Sequence, residues 1–223
     1  MDFNVFAKKS SRVLRVLLAN SGKDWKERQL AEEANISSAL VHYVFKKLIE
    51  MKLAARNEQN RFILTDPPRI IRIWASNHRY DQANEFLSYF AFERETGIFI
   101  GKLVDIELEY ALSGLAAAWL VAPSVQTNDF HLYVPSEDIA AKIAEKIGLN
   151  PRPRGGNVRF VLPYDEGVFY GTRVVRGVKV VSNIQLYLDL YNALPRGRKA
   201  ASQILDLVLK EWHEWQQPID SKR

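Results

Sequence analysis

The sequence of 223 residues contains no cysteine. This absence excludes disulfides, thiolate metal ligands and cysteine nucleophiles, and it is typical of proteins in a reducing cytoplasm. Long apolar runs are also missing, since the longest, Leu115–Ala122, is far shorter than the ~20 residues of a membrane-spanning helix. We therefore expect a cytoplasmic protein that does not contact the membrane.

Recognisable catalytic patterns are missing as well. The sequence has no phosphate-binding loop, no dinucleotide fingerprint and no nucleophile elbow, and its four histidines follow no metal-ligand spacing. Asp165 and Glu166 lie between Pro163 and Gly167, which is typical of a turn. A nuclease site of Asp165, Glu166 and Lys179 can be written down, but its spacing is not specific. We expect no enzymatic activity, no cofactor and no metal.

Positive charge is concentrated at the start of the chain. Residues 1–79 contain 15 Lys and Arg against 8 Asp and Glu, whereas residues 80–223 contain 16 against 18. The whole-chain net charge of +5 therefore comes from the first third. A localised basic excess favours a polyanionic partner, and the alternative is a basic face that only keeps the protein soluble.

The start of the chain has the pattern of a helix-turn-helix. Apolar residues at Leu14, Leu17 and Leu18 predict a first helix, and a short second helix is expected from about Lys26 to Ala34. Asn35 suits the tight turn that follows, because asparagine tolerates a left-handed backbone. The turn leads directly into a third helical pattern.

The third helix has one apolar and one polar face. Ser37 offers a hydroxyl that caps its first turn, and Val41, Val44, Leu48 and Met51 recur at the helical period. These four residues predict the face that packs on the core. The opposite face is polar, and its far end is basic.

A hairpin is expected after the third helix. Two short strands, Leu53–Arg56 and Arg61–Leu64, flank a polar four-residue tip. This element order predicts a winged helix-turn-helix over residues 1–66, in which the third helix enters the major groove of DNA. The residues that we expect to contact DNA are Ser37, Ser38, Ala39, His42, Tyr43, Lys46, Lys47, Arg56, Asn57, Gln59, Asn60 and Arg61.

The remainder of the chain alternates helical and strand-like patterns. Residues 67–76 predict a connecting helix, and residues 77–223 predict a mixed α/β domain, so we expect the α+β class for the whole chain. Within this domain the patterns predict helices at Asn84–Arg94 and Glu137–Ile147 and strands at Phe130–Val134 and Val158–Leu162.

Several stretches, taken in order, cover most of the chain and carry a family resemblance. They are LTDPPRIIRIWA (Leu64–Ala75), YALSGLAAAWLVAP (Tyr110–Pro123), HLYVP (His131–Pro135) and VSNIQLYLDLYNALPRGRKAASQIL (Val181–Leu205). Together with the N-terminal pattern they resemble the AbiEi-type regulators, the antitoxins of type IV toxin–antitoxin systems. The two C-terminal stretches are the more specific markers, because many regulators share a winged helix.

The resemblance implies both an architecture and a role. It implies a DNA-binding winged helix followed by an α/β domain, and repression of the protein's own operon through inverted repeats. It also implies that the protein counters a separately encoded nucleotidyltransferase-like toxin without forming a stable complex. The resemblance places Ser38, His42, Tyr43, Lys46 and Lys47 on the family's recognition helix.

Two other classes of function stay open from the sequence. One is an enzyme, either a nuclease or a nucleotidyltransferase-like protein, with an accessory winged helix. The other is a protein-interaction module, since winged helices also bind proteins.

Overall fold

The computed structural model describes residues 4–122, 126–192 and 195–216, with backbone alone at 195–196 and 213–216. Pro123, Ala193, Leu194 and the side chain of Arg196, which belong to the stretches that carry the family resemblance, lie outside this description. The chain combines helices with two sheets, which confirms the predicted α+β class.

Two compact units make up the chain. The first comprises residues 1–78 and 205–223, and the second comprises residues 79–204. The sequence pattern had placed the end of the first domain at residue 66 and assigned residues 205–223 to the second. This difference arises because a C-terminal helix ends among the residues of the first unit.

The first unit consists of helices and a two-stranded hairpin around an apolar core. Leu14, Leu17 and Leu18 are buried, as their spacing predicted, and the indole Nε1 of Trp212 donates to the carbonyl of Leu18 at 2.9 Å. The elements of the unit that lie before residue 79 are α1 (Ser10–Ala19), α2 (Glu27–Glu33), α3 (Ser38–Glu50), β1 (Ala54–Arg56), β2 (Phe62–Leu64) and α4 (Pro67–Asn77).

The connection after the hairpin follows from its sequence. The carboxylate of Asp66 accepts a hydrogen bond from the backbone N–H of Arg69 at 3.0 Å and so caps α4. Pro67 and Pro68 occupy the first turn, where a missing N–H costs nothing. Trp74 on this helix is buried in the core of the first unit, and the guanidinium of Arg15 lies 4.9 Å from the centre of its ring.

The second unit is a mixed sheet with helices. The helices are α5 (Tyr80–Ala83), α6 (Thr96–Gly101), α7 (Gly114–Val121), α8 (Glu137–Ile147), α9 (Asn183–Tyr191) and α10 (Pro195–Gln216), the last of which ends in the first unit. The strands are β3 (Glu85–Phe90), β4 (Ala111–Ser113), β5 (Phe130–Tyr133), β6 (Asn150–Pro151), β7 (Val158–Leu162), β8 (Arg173–Val175) and β9 (Val178–Val180). Within the described residues these strands are hydrogen-bonded in the order β6-β3-β7-β5-β4-β9-β8, with parallel pairs β5–β7 and β4–β9.

The first helix predicted for this unit is wrong. Residues 84–94 were expected to be helical, but residues 85–90 form β3, which pairs antiparallel with β7. The aromatic residues Phe86, Tyr89 and Phe90 favour an extended chain, and pairing with β7 overrides the weak helical pattern. The predicted helix over residues 137–147 and the predicted strands at 130–134 and 158–162 are confirmed.

A buried carboxylate joins the sheet to α9. Asp189 is 4% exposed and accepts hydrogen bonds from the hydroxyl of Ser113 at 2.6 Å, the amide of Gln185 at 2.7 Å and the hydroxyl of Tyr133 at 3.1 Å. These donors come from β4, α9 and β5. The carboxylate therefore holds three elements of the second unit together.

Candidate nucleic-acid interface

The turn between α2 and α3 sets the direction in which α3 leaves. Asn35 has a left-handed φ of 50°, which confirms the role expected of it. The N–H of Ile36 donates to the carbonyl of Ala31 at 3.0 Å, so the chain folds back over the end of α2. The hydroxyl of Ser37 then accepts from the N–H of Leu40 at 3.3 Å and caps α3.

The inner face of α3 is fixed against the core and the hairpin. Val41, Val44 and Leu48 are fully buried, as their spacing predicted, whereas Met51, the fourth residue of that pattern, follows the end of α3 and is half-buried. Phe45 is 1% exposed, and its ring stacks on that of Phe62 in β2 with 3.6 Å between the ring centres. This contact fixes the position of the hairpin against α3.

The outer face of α3 is polar and open to solvent. Ser38, Ala39, His42 and Lys46 are exposed, and Tyr43 is 57% exposed with its ring edge-on to that of His42. An aromatic ring of this size on a helix surface is available for contact with another molecule. The residues that the sequence assigned to the recognition face therefore share one accessible surface.

Two carboxylates border this face. The Nδ1 of His42 lies 3.5 Å from an oxygen of Glu27, and the ammonium of Lys47, which is half-buried, lies 3.5 Å from an oxygen of Glu50. Lys46 forms no ion pair within the part of the chain that the structure describes. Its charge is therefore the least neutralised on this face, which suits contact with a phosphate.

The hairpin tip is held by the side chain of Asn57. Its Oδ1 accepts from the backbone N–H groups of Gln59 at 3.1 Å and Arg61 at 2.9 Å, while Asn60 takes a left-handed φ of 59°. Arg56 donates to the backbone and side-chain oxygens of Asn60 at 3.1 and 3.0 Å. Arg56 therefore lies along the hairpin, so that both the charge and the shape of the tip are fixed before any partner arrives.

Asp24 is a residue of this surface that sequence reasoning missed. Its two carboxylate oxygens accept from the Nδ2 of Asn57 and from the Nη1 of Arg61, both at 2.9 Å. The hydrogen bond from Arg61 lowers the pKa of Asp24 below its ordinary value and outweighs desolvation. No local pattern in the sequence links these residues, because 33 and 37 positions separate Asp24 from its two partners.

Comparison with known families assigns the chain. The model of a family described as transcriptional regulator, AbiEi antitoxin, type IV TA system matches residues 63–210, about two thirds of the chain. The chain belongs to the AbiEi antitoxin family. No curated protein and no solved structure matches it.

The family match confirms the resemblance drawn from the sequence. AbiEi antitoxins are described as transcriptional regulators of type IV toxin–antitoxin systems. The matched region begins at Ile63 in β2 and leaves out α1, α2 and α3. The family match therefore does not extend to α3 or to its exposed residues.

One residue of the acidic pair in this AbiEi family member has a structural role. Asp165 accepts from the N–H of Gly167 at 2.8 Å and caps a short 3-10 helix, Glu166–Phe169. The ammonium of Lys179 donates to the carbonyls of Glu107 at 3.2 Å and Leu108 at 2.9 Å.

Among the described residues, no group of three or more His, Asp or Glu side chains is arranged to hold a metal ion. No helix in the described ranges is long and apolar enough to cross a membrane.

Proposed function

We propose that this AbiEi family member is a regulator that binds double-stranded DNA in a sequence-specific way through a winged helix-turn-helix. The observation that carries the proposal is the two-sided character of α3. Its inner face is buried against the core and the hairpin, whereas its outer face exposes Ser38, His42, Tyr43 and Lys46. The basic excess of residues 1–79 supports the same function.

The residues of this surface take two kinds of role. Ser38 and His42, with the small Ala39 beside them, suit contacts with base edges in the major groove, and Tyr43 supplies apolar contact. Lys46 and Lys47 neutralise phosphates and position the helix. The hairpin residues, which contact the backbone or the minor groove, are Arg56, Asn57, Gln59, Asn60 and Arg61. Ser37 contributes at the helix start, where N–H groups attract a phosphate.

The functional division that we propose follows the sequence. Residues 1–66 bind DNA, residues 67–76 connect, and residues 77–223 form the antitoxin-like domain. The protein acts in the cytoplasm as an autorepressor on inverted repeats in its own operator, which implies two copies bound side by side. It opposes a nucleotidyltransferase-like toxin without a stable complex, and it is not itself an enzyme.

A binding titration tests the DNA part of this proposal. Fluorescence anisotropy would compare the DNA upstream of the protein's own gene with a scrambled duplex at two salt concentrations. We expect tighter binding to the upstream DNA, with an affinity that falls steeply as salt rises. Removing one phosphate contact by Lys46→Ala should weaken binding to both duplexes and lower the salt slope by about one.

The matched control removes an equal charge from the second unit. Lys142 on α8 is exposed and pairs with Asp138 at 2.7 Å, so Lys142→Ala should leave DNA affinity unchanged. Equal binding to the two duplexes, or an equal effect of both lysine substitutions, would contradict specific recognition by α3. Binding that is insensitive to salt would favour a protein partner for the winged helix.

A further inference from the structure

The second unit contains a cavity of about 990 Å³. A space of this size accommodates a small molecule, and its lining mixes apolar groups with polar ones as ligand sites do. The lining residues that carry the argument are Arg79, Tyr80, Asp129, His131, Arg159 and Asp189. All of them lie within residues 79–204, so the cavity is a property of this unit alone.

A row of polar residues crosses the sheet at this cavity. Ser113 pairs with His131 between β4 and β5, and His131 pairs with Arg159 between β5 and β7. Directly paired residues point to the same face of a sheet, so these three side chains lie in a line. The row one position further along consists of Leu112, Leu132 and Phe160, which are fully buried on the other face.

Two carboxylates next to this row, those of Asp189 and Asp129, already have partners. Asp189 receives the three hydrogen bonds from Ser113, Gln185 and Tyr133 described above. Asp129 lies beside His131, with 3.3 Å between its Oδ2 and the ring Nε2. Burial raises the pKa of Asp129, but the hydrogen bond and charge of His131 outweigh this effect and hold it below its ordinary value, with a smaller contribution from Arg159.

The donors of Arg159 are not fully used. The hydroxyl of Tyr80 and Nδ1 of His131 share a hydrogen bond of 2.9 Å. The Nε2 of His131 is buried and faces Oδ2 of Asp129 at 3.3 Å, so it is not open to a ligand. The Nε of Arg159 lies 3.9 Å from Asp129, beyond hydrogen-bond distance, and its side chain is 42% exposed.

We propose that this cavity binds a small anionic molecule, whose phosphate or carboxylate group is held by the exposed guanidinium of Arg159. A planar guanidinium presents paired N–H groups that match either anion. The cavity is much larger than a free anion, so the anionic group belongs to a larger polar body, such as a nucleoside or a sugar. The exposed Asp81 at the lining offers an acceptor for hydroxyl groups of that body.

Calorimetry on the full chain tests this site with four probes: adenosine 5′-monophosphate, adenosine, inorganic phosphate and citrate. We expect saturable binding of the monophosphate, weaker binding of phosphate and none of adenosine. Saturable binding of citrate in place of the monophosphate would assign a carboxylate ligand to the same site. Amide NMR spectra of nitrogen-isotope-labelled protein locate the site. The amide signals of Gly114, Asn128 and His131 should shift on binding.

Three substitutions at two arginines make the comparison specific. Arg159→Gln should weaken binding at least about tenfold, because the paired contact to the anion is lost. Arg159→Lys keeps the charge without the planar pair of donors. Its affinity should lie between that of the unchanged protein and that of Arg159→Gln. Arg154→Gln removes an exposed arginine outside the cavity lining and should leave affinity within about twofold.

Three results would overturn the proposal. They are no saturable binding of any anionic probe up to about 10 mM, an equal effect of the Arg154 and Arg159 substitutions, and amide shifts confined to the basic surface of residues 1–79. This test does not depend on DNA binding, since the anisotropy titration above can succeed while the cavity stays empty. The two assays would equally distinguish a protein whose cavity binds the anion but which does not bind DNA.

Discussion

Asp24 and Arg61 form an ion pair, with 2.9 Å between Oδ1 and Nη1, that ties the hairpin tip to the loop before α2. The second carboxylate oxygen holds Asn57, which organises the turn itself. One side chain therefore fixes the direction of the hairpin relative to α2. Arg61 therefore stabilises the structure of this surface and also contributes to its positive charge.

The depressed pKa of Asp24 predicts how the hairpin responds to acid. A carboxylate with a lowered folded-state pKa stabilises the fold above its ordinary pKa of about 4, and the contribution is lost as pH falls through the lower folded value. Asp24→Asn should therefore lower the urea midpoint at pH 7, and the difference should shrink steadily as pH falls below about 4. Denaturation curves at pH 7 and through the acid range check this. A difference in urea midpoint that persists in acid would show that the charge of the Asp24 carboxylate does not cause the stabilisation.

Glu27 places a negative charge beside the proposed reading face. Its carboxylate lies 3.5 Å from Nδ1 of His42, so it repels an approaching phosphate and restrains the imidazole. Glu27→Gln should tighten DNA binding about two- to fivefold, with the largest effect at low salt. Anisotropy titrations measure the effect. The control is Glu145→Gln, which neutralises an exposed carboxylate on α8. Weaker binding by Glu27→Gln would show that the pair with His42 helps recognition.

Phe45 and Tyr43 separate folding from recognition on the same helix. Phe45→Ala removes a buried ring stacked on Phe62 and should destabilise the first unit by about 3–5 kcal/mol. Tyr43→Ala, at a position 57% exposed, should change stability by less than about 0.5 kcal/mol yet weaken DNA binding. Urea denaturation and anisotropy on both variants check the split. A Tyr43 variant with normal DNA affinity would exclude that ring from the interface.

Sequence reasoning succeeded where contacts are local or periodic. The spacing of Val41, Val44 and Leu48 predicted the buried face of α3, and Asn35 marked the turn before it, because helical period and left-handed backbone are properties of a few adjacent residues. It failed at Asn84–Arg94, where pairing with β7 decides the structure. That pairing joins residues more than 65 positions apart, which no local pattern records.

The polar surfaces were harder to predict for the same reason. Arg61 was expected at the hairpin as a DNA contact, but its partner Asp24 was not foreseen. His131 stood out only as the first residue of the family stretch HLYVP and as one of four histidines without a metal-ligand spacing. Its place beside Ser113 and Arg159 depends on the register of three strands. Long-range register brings distant polar residues together, and a single sequence carries no direct signal of it.

Asp189 should be the most sensitive polar position of the second unit. Asp189→Asn replaces an acceptor by an NH₂ donor that faces the donors of Ser113, Tyr133 and Gln185. The loss of these hydrogen bonds at a site 4% exposed should destabilise the unit by about 2–4 kcal/mol. The exposed Asp138→Asn is the control. Equal unfolding midpoints for the two variants would show that the network does not stabilise the unit.

The buried tyrosines predict a weakness toward alkali. Burial raises the pKa of Tyr133 and of Tyr80 well above 10, with the charge of Asp189 adding to the effect, so the folded state disfavours both phenolates. Stability should be constant below the unfolded-state value of about 10 and should fall as pH rises above it. Urea midpoints between about pH 8 and pH 11 test this, and Tyr133→Phe should lose less over that range. An identical decline in both proteins would place the alkaline transition on other groups, because the phenol of Tyr133 is the only group that this variant removes.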